Sequence, residues 1–196
     1  MKWIIGIDEA GRGPLAGPVS VGVFAIQKDQ KTKLKVLKKS KDSKVLSHMQ
    51  REEVFREIEN EKKAGKCLYE VVLTSSLYID AYGIVPAIKS AMKKALKKLN
   101  LNPKDCEVLL DGSLKAPEEY INQKTIIKGD AKIPVISAAS ICAKVLRDRY
   151  MVKISKKYTQ YDFHIHKGYG TAKHIISIKS FGLTDIHRRS FLKNLL

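Results

Sequence analysis

The chain has 196 residues, of which 44% are hydrophobic and 29% are charged, a balance typical of globular domains that excludes an intrinsically disordered chain. Lysine and arginine outnumber aspartate and glutamate by 37 to 20, and the net charge of +17 favours a polyanionic partner such as nucleic acid. The apolar start is too short and too acidic for a secretory signal, and no apolar run approaches the roughly 20 residues of a membrane span. We therefore expect one cytoplasmic domain over residues 1–196, with no membrane segment.

The first two predicted elements are strands over residues 4–7 and 19–26, and their short connection predicts an antiparallel pair. Asp8 and Glu9 directly follow the first strand. A carboxylate at the end of a buried strand is unfavourable unless a cation or hydrogen-bond donors compensate it, so two in succession indicate a metal site. Adjacent strand residues point to opposite faces, so both acids are expected to reach one site only where the pleat ends.

The next feature is a glycine loop, Gly11–Gly13. Its two glycines lack a Cβ, so the backbone can take unusual dihedral angles and come close to a ligand. Arg12, between them, carries a forked guanidinium that suits phosphate. This loop is therefore predicted to contact the substrate.

The middle of the chain alternates between predicted helices and strands. Residues 28–44 are dense in lysine, and a solvated loop is the simplest explanation for most of them. Ser47 and Gln50 form a possible capping box at the start of a helix over 47–63. The pattern then predicts a strand over 67–74 and helices over 76–82 and 84–99. In the second of these helices, the lysines at 89, 93 and 97 share one face, either solvated or facing phosphate.

Two further carboxylates follow short apolar runs. Asp111 ends the run 108–110, and Asp130 follows the run 125–127, before a long helix predicted over 137–157. Because open α/β sheets commonly place their sites at strand ends, these acids are expected to meet Asp8 and Glu9. An all-oxygen set of this kind suits Mg²⁺ or Mn²⁺ rather than zinc.

Other potential ligands are weaker candidates. His164, His166 and His174 match no strong zinc spacing, and the three cysteines are isolated and odd in number. Asp148 lies between Arg147 and Arg149 in the predicted long helix. We expect it to pair with those arginines or to orient another group rather than to bind metal.

The last part of the chain contains a glycine-rich turn around Tyr169, with Thr171 as the predicted N-cap of a helix, and then the basic run 187–189. Tyr169 and Arg188 are both expected to be exposed. The terminal residues 191–196 are expected to pack as an apolar turn.

The segment Gly6–Pro14 resembles the signature of the type 2 ribonucleases H, specifically the bacterial ribonuclease HII family. The resemblance continues through residues 42–44, 110–112, 128–130, 137–141, 143–144, 147–149, 166–171 and 186–191. It therefore covers nearly the whole chain. It implies an α/β ribonuclease H-like fold, with a mixed five-stranded sheet flanked by helices and additional C-terminal helices, from about residue 160 to 196, that close over the substrate.

The resemblance also implies the activity. A member of this family hydrolyses the RNA strand of RNA/DNA hybrids and incises duplex DNA 5′ to a single embedded ribonucleotide, as in ribonucleotide excision repair. The implied catalytic and metal-binding residues are Asp8, Glu9, Asp111 and Asp130, which hold two Mg²⁺ or Mn²⁺ ions, with Asp8 as the bridging ligand. The implied substrate-binding residues are Gly11, Arg12, Gly13, Ser43, Lys44, Tyr169 and Arg188. A monomer is expected.

Two alternatives stay open at this point. The ribonuclease HIII family has an additional N-terminal substrate-binding domain and a lysine where Arg12 stands here, and this chain leaves no room for that domain. A non-catalytic basic nucleic-acid-binding protein would also explain the net charge, but it gives no reason for carboxylates at three strand ends.

Overall fold

The computed structural model describes residues 1–30, 37 and 46–193, so Ser43 and Lys44 lie outside the described residues. Five strands form one mixed sheet in the order β3-β2-β1-β4-β5. Their bounds are β1 Trp3–Ala10, β2 Val19–Gln27, β3 Leu68–Thr74, β4 Cys106–Asp111 and β5 Gln123–Ile126. β1 pairs antiparallel with β2 and parallel with β4, which confirms the predicted antiparallel pair and mixed sheet.

The helices cover both faces of this sheet. In chain order they are α1 His48–Lys63, α2 Ser76–Tyr82, α3 Ile84–Leu99, α4 Gly129–Lys132, α5 Pro134–Ser155, α6 Phe163–His166, α7 Ala172–Phe181 and α8 Arg189–Leu192. The capping box at the start of α1 is present, with Ser47 and Gln50 bonding each other's backbone N–H. Thr171 caps α7 as predicted. Among the described residues, no helix is both long and apolar enough to cross a membrane.

Apolar side chains fill the space on each side of the sheet. The alternating residues Ile5 and Ile7 of β1 pack toward α3, whereas Ile4 packs on the opposite face with α1 and α5. Because β1 is buried on both faces, it can be nearly continuously apolar. This central position places the end of β1, with its two acids, in the middle of one sheet edge.

Helix α5 lies unusually close to the sheet at two glycines. A Cβ at Gly6 would lie 2.1 Å from the Val135 carbonyl oxygen, and one at Gly22 would lie 2.3 Å from the Ala139 carbonyl oxygen. Only glycine permits these backbone contacts. They bring the side chains of α5 over the ends of β1 and β4.

The C-terminal segment packs back onto the connection between β1 and β2. The amide of Leu15 donates to the Gly168 carbonyl, and the Arg188 amide donates to the Leu15 carbonyl, each at 2.8 Å. A separate apolar cluster, which includes Leu192, stabilises this arrangement. The turn that carries Tyr169 is therefore held beside the glycine loop, more than 150 residues away in sequence.

The predicted boundaries of the last strand and of the long helix are wrong. β5 ends at Ile126, and the chain turns through Lys128, a residue with φ 57°, into the short helix α4. α5 then begins at Pro134 and ends at Ser155, whereas the sequence predicted 137–157. Proline has no N–H to donate and a fixed φ, so it suits this first position of the helix.

Candidate active site

Four carboxylates line one cavity of about 350 Å³ at the carboxyl ends of the central strands. Ile7 pairs with Leu110 in the parallel β1–β4 ladder, so Asp8 and Asp111 lie side by side. Glu9 follows on β1, and Asp130, which is almost fully buried, comes from α4. The expected convergence of the four acids on one cavity is thus found, although Asp130 lies on a short helix and not at a strand end.

The cavity also contains the glycine loop and the Tyr169 turn. The remaining lining residues are Ala10, Arg51, Ser140 and Lys144. The sequence reasoning did not select the last three of these. Ser140 and Lys144 are four residues apart on α5 and so share one face of the helix, which is the signal that could have identified them.

Asp8 lies in a poorly solvated environment. Burial, together with the neighbouring charges of Glu9 and Asp111, raises the pKa of Asp8 to about 8, although a hydrogen bond from Ser140 opposes the rise. The Asp8 Oδ1 also accepts a hydrogen bond of 2.8 Å from the Glu9 amide. A bound cation would stabilise the ionised form of a carboxylate that is buried beside other acids.

Glu9 has a local cation. Burial raises its pKa, but the Arg12 guanidinium, which lies 3.0 Å from Glu9 Oε1, opposes that rise. The β1–β2 ladder continues through both acids to the pair Ala10–Ser20, and the pleat ends at the glycines that follow, as expected. The break comes at Gly11, with φ +81°, so Glu9 still points to the face opposite Asp8 and reaches the cavity around the strand end.

The four acids fit a hard divalent cation by chemistry, since their donors are all oxygens and Asp8 lacks a compensating charge. Among the residues that the structure describes, no three His, Cys, Asp or Glu side chains are already arranged to hold a metal ion. Two of the acids are engaged elsewhere: Glu9 with Arg12, and Asp111 with the Gly129 amide at 2.6 Å. Each of these hydrogen bonds uses one oxygen of its carboxylate, so the second oxygen of Glu9 and of Asp111 remains for a cation.

The weaker candidates lie outside the cavity. Asp148 is buried on α5 and makes no ion-pair contact with the adjacent arginines: Arg149 binds Glu52, and Arg147 donates to backbone carbonyls. Burial lowers the pKa of Arg147, and the nearby Asp148 charge opposes that shift. His174 and His187 face each other with their Nε2 atoms 3.1 Å apart. Burial lowers the pKa of each to about 4, so both pack as neutral rings within the C-terminal segment.

The position of Arg188 differs from the exposed position predicted from the sequence. The sequence suggested an exposed side chain facing the nucleic acid, but Arg188 is fully buried, and its guanidinium donates to the carbonyls of Gly11, Arg12 and Gly17. Tyr169, in contrast, is 44% exposed at the cavity, with its ring 5.8 Å from Arg147 Cζ. Tyr169 is therefore placed to meet a ligand, whereas Arg188 lies beneath the loop.

A second, larger cleft of about 840 Å³ runs between α3 and the β4–β5 connection. Its charged lining residues are Lys89, Lys93, Lys115 and Glu118. With one acid it offers few ligands for a divalent cation, so the smaller cavity is the better candidate site. The lysine-lined face of α3 stays compatible with either solvent or phosphate.

Comparison with known proteins identifies the family. The family model described as Ribonuclease HII matches residues 5–194. A ribonuclease HII of Caldicellulosiruptor bescii is 47% identical over 195 residues, which cover 100% of this chain and 89% of that protein. Matches of this length and identity extend over every element that lines the cavity.

Solved structures show the same fold. The ribonuclease HII in a complex with PCNA from Archaeoglobus fulgidus superposes with a TM-score of 0.73 at 28% identity, covering 94% of this chain and 93% of that one. Bst-RNase HIII in complex with Mn²⁺ gives a TM-score of 0.71 at 17% identity, covering 96% and 64%, and shows likeness of fold alone. The ribonuclease H-like α/β fold is confirmed, and the chain belongs to the ribonuclease HII family, whose members are endoribonucleases of the ribonuclease H type.

Proposed function

We propose that the protein hydrolyses the RNA strand of RNA/DNA hybrids and incises duplex DNA on the 5′ side of a single embedded ribonucleotide, leaving 3′-hydroxyl and 5′-phosphate ends. The observation that carries the proposal is the single cavity in which four carboxylates lie beside the glycine loop and Tyr169. The acids would carry out the chemistry and the backbone groups of the loop would recognise the sugar, both at the same phosphodiester.

Asp8, Glu9, Asp111 and Asp130 would hold two Mg²⁺ or Mn²⁺ ions, with Asp8 between them. When bound, such ions lower the pKa of the attacking water and stabilise the leaving oxygen. The Ser140 hydrogen bond orients Asp8, and the position of Asp111 is fixed by the Gly129 amide. Lys144, on the same cavity wall, adds a positive charge for the phosphate.

Substrate selection rests on the groups around these acids. A ribose differs from a deoxyribose by a 2′-hydroxyl that can donate and accept hydrogen bonds. The glycine loop can approach that hydroxyl closely, since a Cβ at Gly13 would meet no protein atom within 4 Å and the space beside the loop is open. Tyr169 would pack on the neighbouring deoxyribose, with the C-terminal part from about residue 160 closing over the duplex.

The remaining basic groups would bind the backbone. Arg12 lies at the cavity, Ser43 and Lys44 are assigned to phosphate contacts by family resemblance, and the charge of +17 attracts the duplex. We expect the enzyme to act as a cytoplasmic monomer. A basic protein that only binds nucleic acid would not need Asp8 and Asp130 to be buried beside the other two acids.

The test is cleavage of three labelled duplexes: all-DNA, DNA with one ribonucleotide, and a long RNA/DNA hybrid, each with Mg²⁺ or Mn²⁺. We expect cleavage of the second on the 5′ side of the ribonucleotide, cleavage of the third, and none of the first. Cleavage 3′ to the ribonucleotide, or of the all-DNA duplex, would contradict the proposal. Binding of all three without metal-dependent cleavage would favour the non-catalytic alternative.

A further inference from the structure

Two buried arginines lie beneath the glycine loop without a carboxylate in direct contact. Arg147 and Arg188 are 1% and 0% exposed. Within the described part of the chain, no carboxylate lies within ion-pair distance of either guanidinium. Burial and the nearby Arg147 charge together lower the pKa of Arg188 to about 9. The Asp80 and Asp148 charges act on Arg188 and Arg147 only from a distance. A buried cation without a contacting counter-ion is costly unless other acceptors, such as backbone carbonyls, compensate it.

The Arg188 guanidinium donates hydrogen bonds to backbone carbonyls in the connection between β1 and β2. Its Nε donates to the Gly17 carbonyl at 2.9 Å, and its two terminal nitrogens donate to the Arg12 carbonyl at 2.9 Å and the Gly11 carbonyl at 2.7 Å. The planar fork of arginine offers these donors in a fixed geometry. The carbonyls of Gly11 and Arg12 are therefore both directed inward, toward Arg188.

The direction of these carbonyls determines what the loop presents to a ligand. In a trans peptide the C=O and the following N–H point in opposite directions, and the described backbone has no cis peptide bond. With both carbonyls inward, the N–H groups of Arg12 and Gly13 point away from Arg188. Neither N–H donates a hydrogen bond to another described group, and both residues are exposed and line the cavity.

We propose that Arg188 is a positioning residue that makes the glycine loop a receptor with two outward N–H donors, for an acceptor oxygen of the substrate. This inference rests on the proposed function, in which that oxygen is the 2′-hydroxyl oxygen of the ribonucleotide. The 2′-hydroxyl is then recognised as a hydrogen-bond acceptor by the N–H groups of Arg12 and Gly13. A deoxyribose offers no such oxygen.

A second residue holds Arg188 in place. Asp80, on α2, accepts hydrogen bonds of 2.9 Å from the amides of both Arg189 and Ser190, the residues that follow Arg188 at the start of α8. The Ser190 hydroxyl donates to the same carboxylate. Asp80 does not line the cavity, so its removal tests the position of Arg188 without touching the substrate or the acids.

The experiment compares Arg188→Met, Arg188→Lys and Asp80→Asn with the wild type. The matched control is Asp185→Asn, which removes an exposed carboxylate three residues before Arg188. Steady-state kcat and KM are measured on the single-ribonucleotide duplex, together with the affinity for the all-DNA duplex and the folded fraction by circular dichroism. Rates are normalised to folded enzyme, so that a variant that folds poorly still reports on positioning.

We expect kcat to fall on the order of 100-fold for Arg188→Met, the effect of a small misplacement of a substrate-positioning group. Asp80→Asn should lose about tenfold, the equivalent of one net hydrogen bond. Arg188→Lys should fall between these, because lysine keeps the charge but not the fork. Duplex affinity and the control's kcat should stay at the wild-type level.

Normalised kcat values equal to that of Asp185→Asn for all three variants would overturn the positioning role. A loss confined to KM would also overturn it, since Arg188 would then contribute only to general binding. If the wild type fails to cut the single-ribonucleotide duplex, the proposed function fails instead. The same variants measured on the long hybrid then decide the positioning role separately.

Discussion

The two glycines of the loop should respond in opposite ways to alanine. A Cβ at Gly11 would lie 2.0 Å from Arg147 Nε, and Gly11 has φ +81°. The dihedral strain alone costs ~1–2 kcal/mol for alanine. Displacement of Arg147 would also break a charged hydrogen bond, such as the 2.8 Å bond to the Pro18 carbonyl. We expect Gly11→Ala to lower the free energy of unfolding by about 2.5–5 kcal/mol.

Gly13→Ala should leave the fold intact. Its Cβ would meet no atom within 4 Å, and as the residue before Pro14 its backbone favours an extended conformation that alanine also adopts. The free energy of unfolding should therefore change by less than about 0.5 kcal/mol. The added methyl group would occupy the space where the sugar approaches, so cleavage of the single-ribonucleotide duplex should fall on the order of 100-fold.

Urea unfolding curves and single-turnover cleavage, measured on both variants, separate the two effects. Gly13→Ala cleaving at the wild-type rate would refute close approach of the substrate to this loop. Wild-type stability of Gly11→Ala would refute the packing of Gly11 on Arg147.

Three further predictions concern other parts of the molecule. Asp8→Asn should reduce cleavage by more than ~10³-fold with the fold retained, and Asp148→Asn should be milder in the same assay; equal losses would mean that the acids are wrongly assigned. Tyr169→Ala should impair cleavage at a single ribonucleotide more than on a long hybrid, which offers other registers, and equal losses would make Tyr169 structural. His174 and His187 have pKa values lowered to about 4, so the unfolded chain binds more protons below pH 6.5. In the Asp8→Asn variant, where the opposing titration of the buried Asp8 is absent, the melting temperature should fall as the pH drops from about 6.5 to about 4, and a flat profile would show that these histidines are not buried as neutral rings.

The sheet and the four acids were predictable because both depend on local pattern. Alternating or continuous apolar runs mark the strands, and an acid directly after such a run marks the point where the strand leaves the core. Asp130 shows the limit of this logic. The strand that precedes Asp130 ends early, because Lys128 takes a left-handed conformation that leads into α4. At the start of α4, the Gly129 amide donates a hydrogen bond to Asp111.

The burial of Arg188 could not be predicted from pattern. A basic residue near the end of a basic chain suggests a surface position, and nothing in its neighbourhood indicates burial. Its partners are backbone carbonyls 171 to 177 residues earlier, and carbonyls leave no signature in a sequence. Arg147 shows the same limit, because its hydrogen bonds go to carbonyls such as those of Pro18 and Lys167.

The contact between Arg188 and the glycine loop also affects the order in which parts of the molecule form. Chains fold from the N-terminal side as they are synthesised, so β1 and the acids it carries exist long before Arg188 does. Contacts between residues so distant in sequence close late, because the entropy of the intervening loop opposes them. A nascent chain can therefore assemble the sheet that carries its acids while the loop beside them is still without its support. The ability to distinguish a ribose from a deoxyribose would therefore be among the last properties to form during folding.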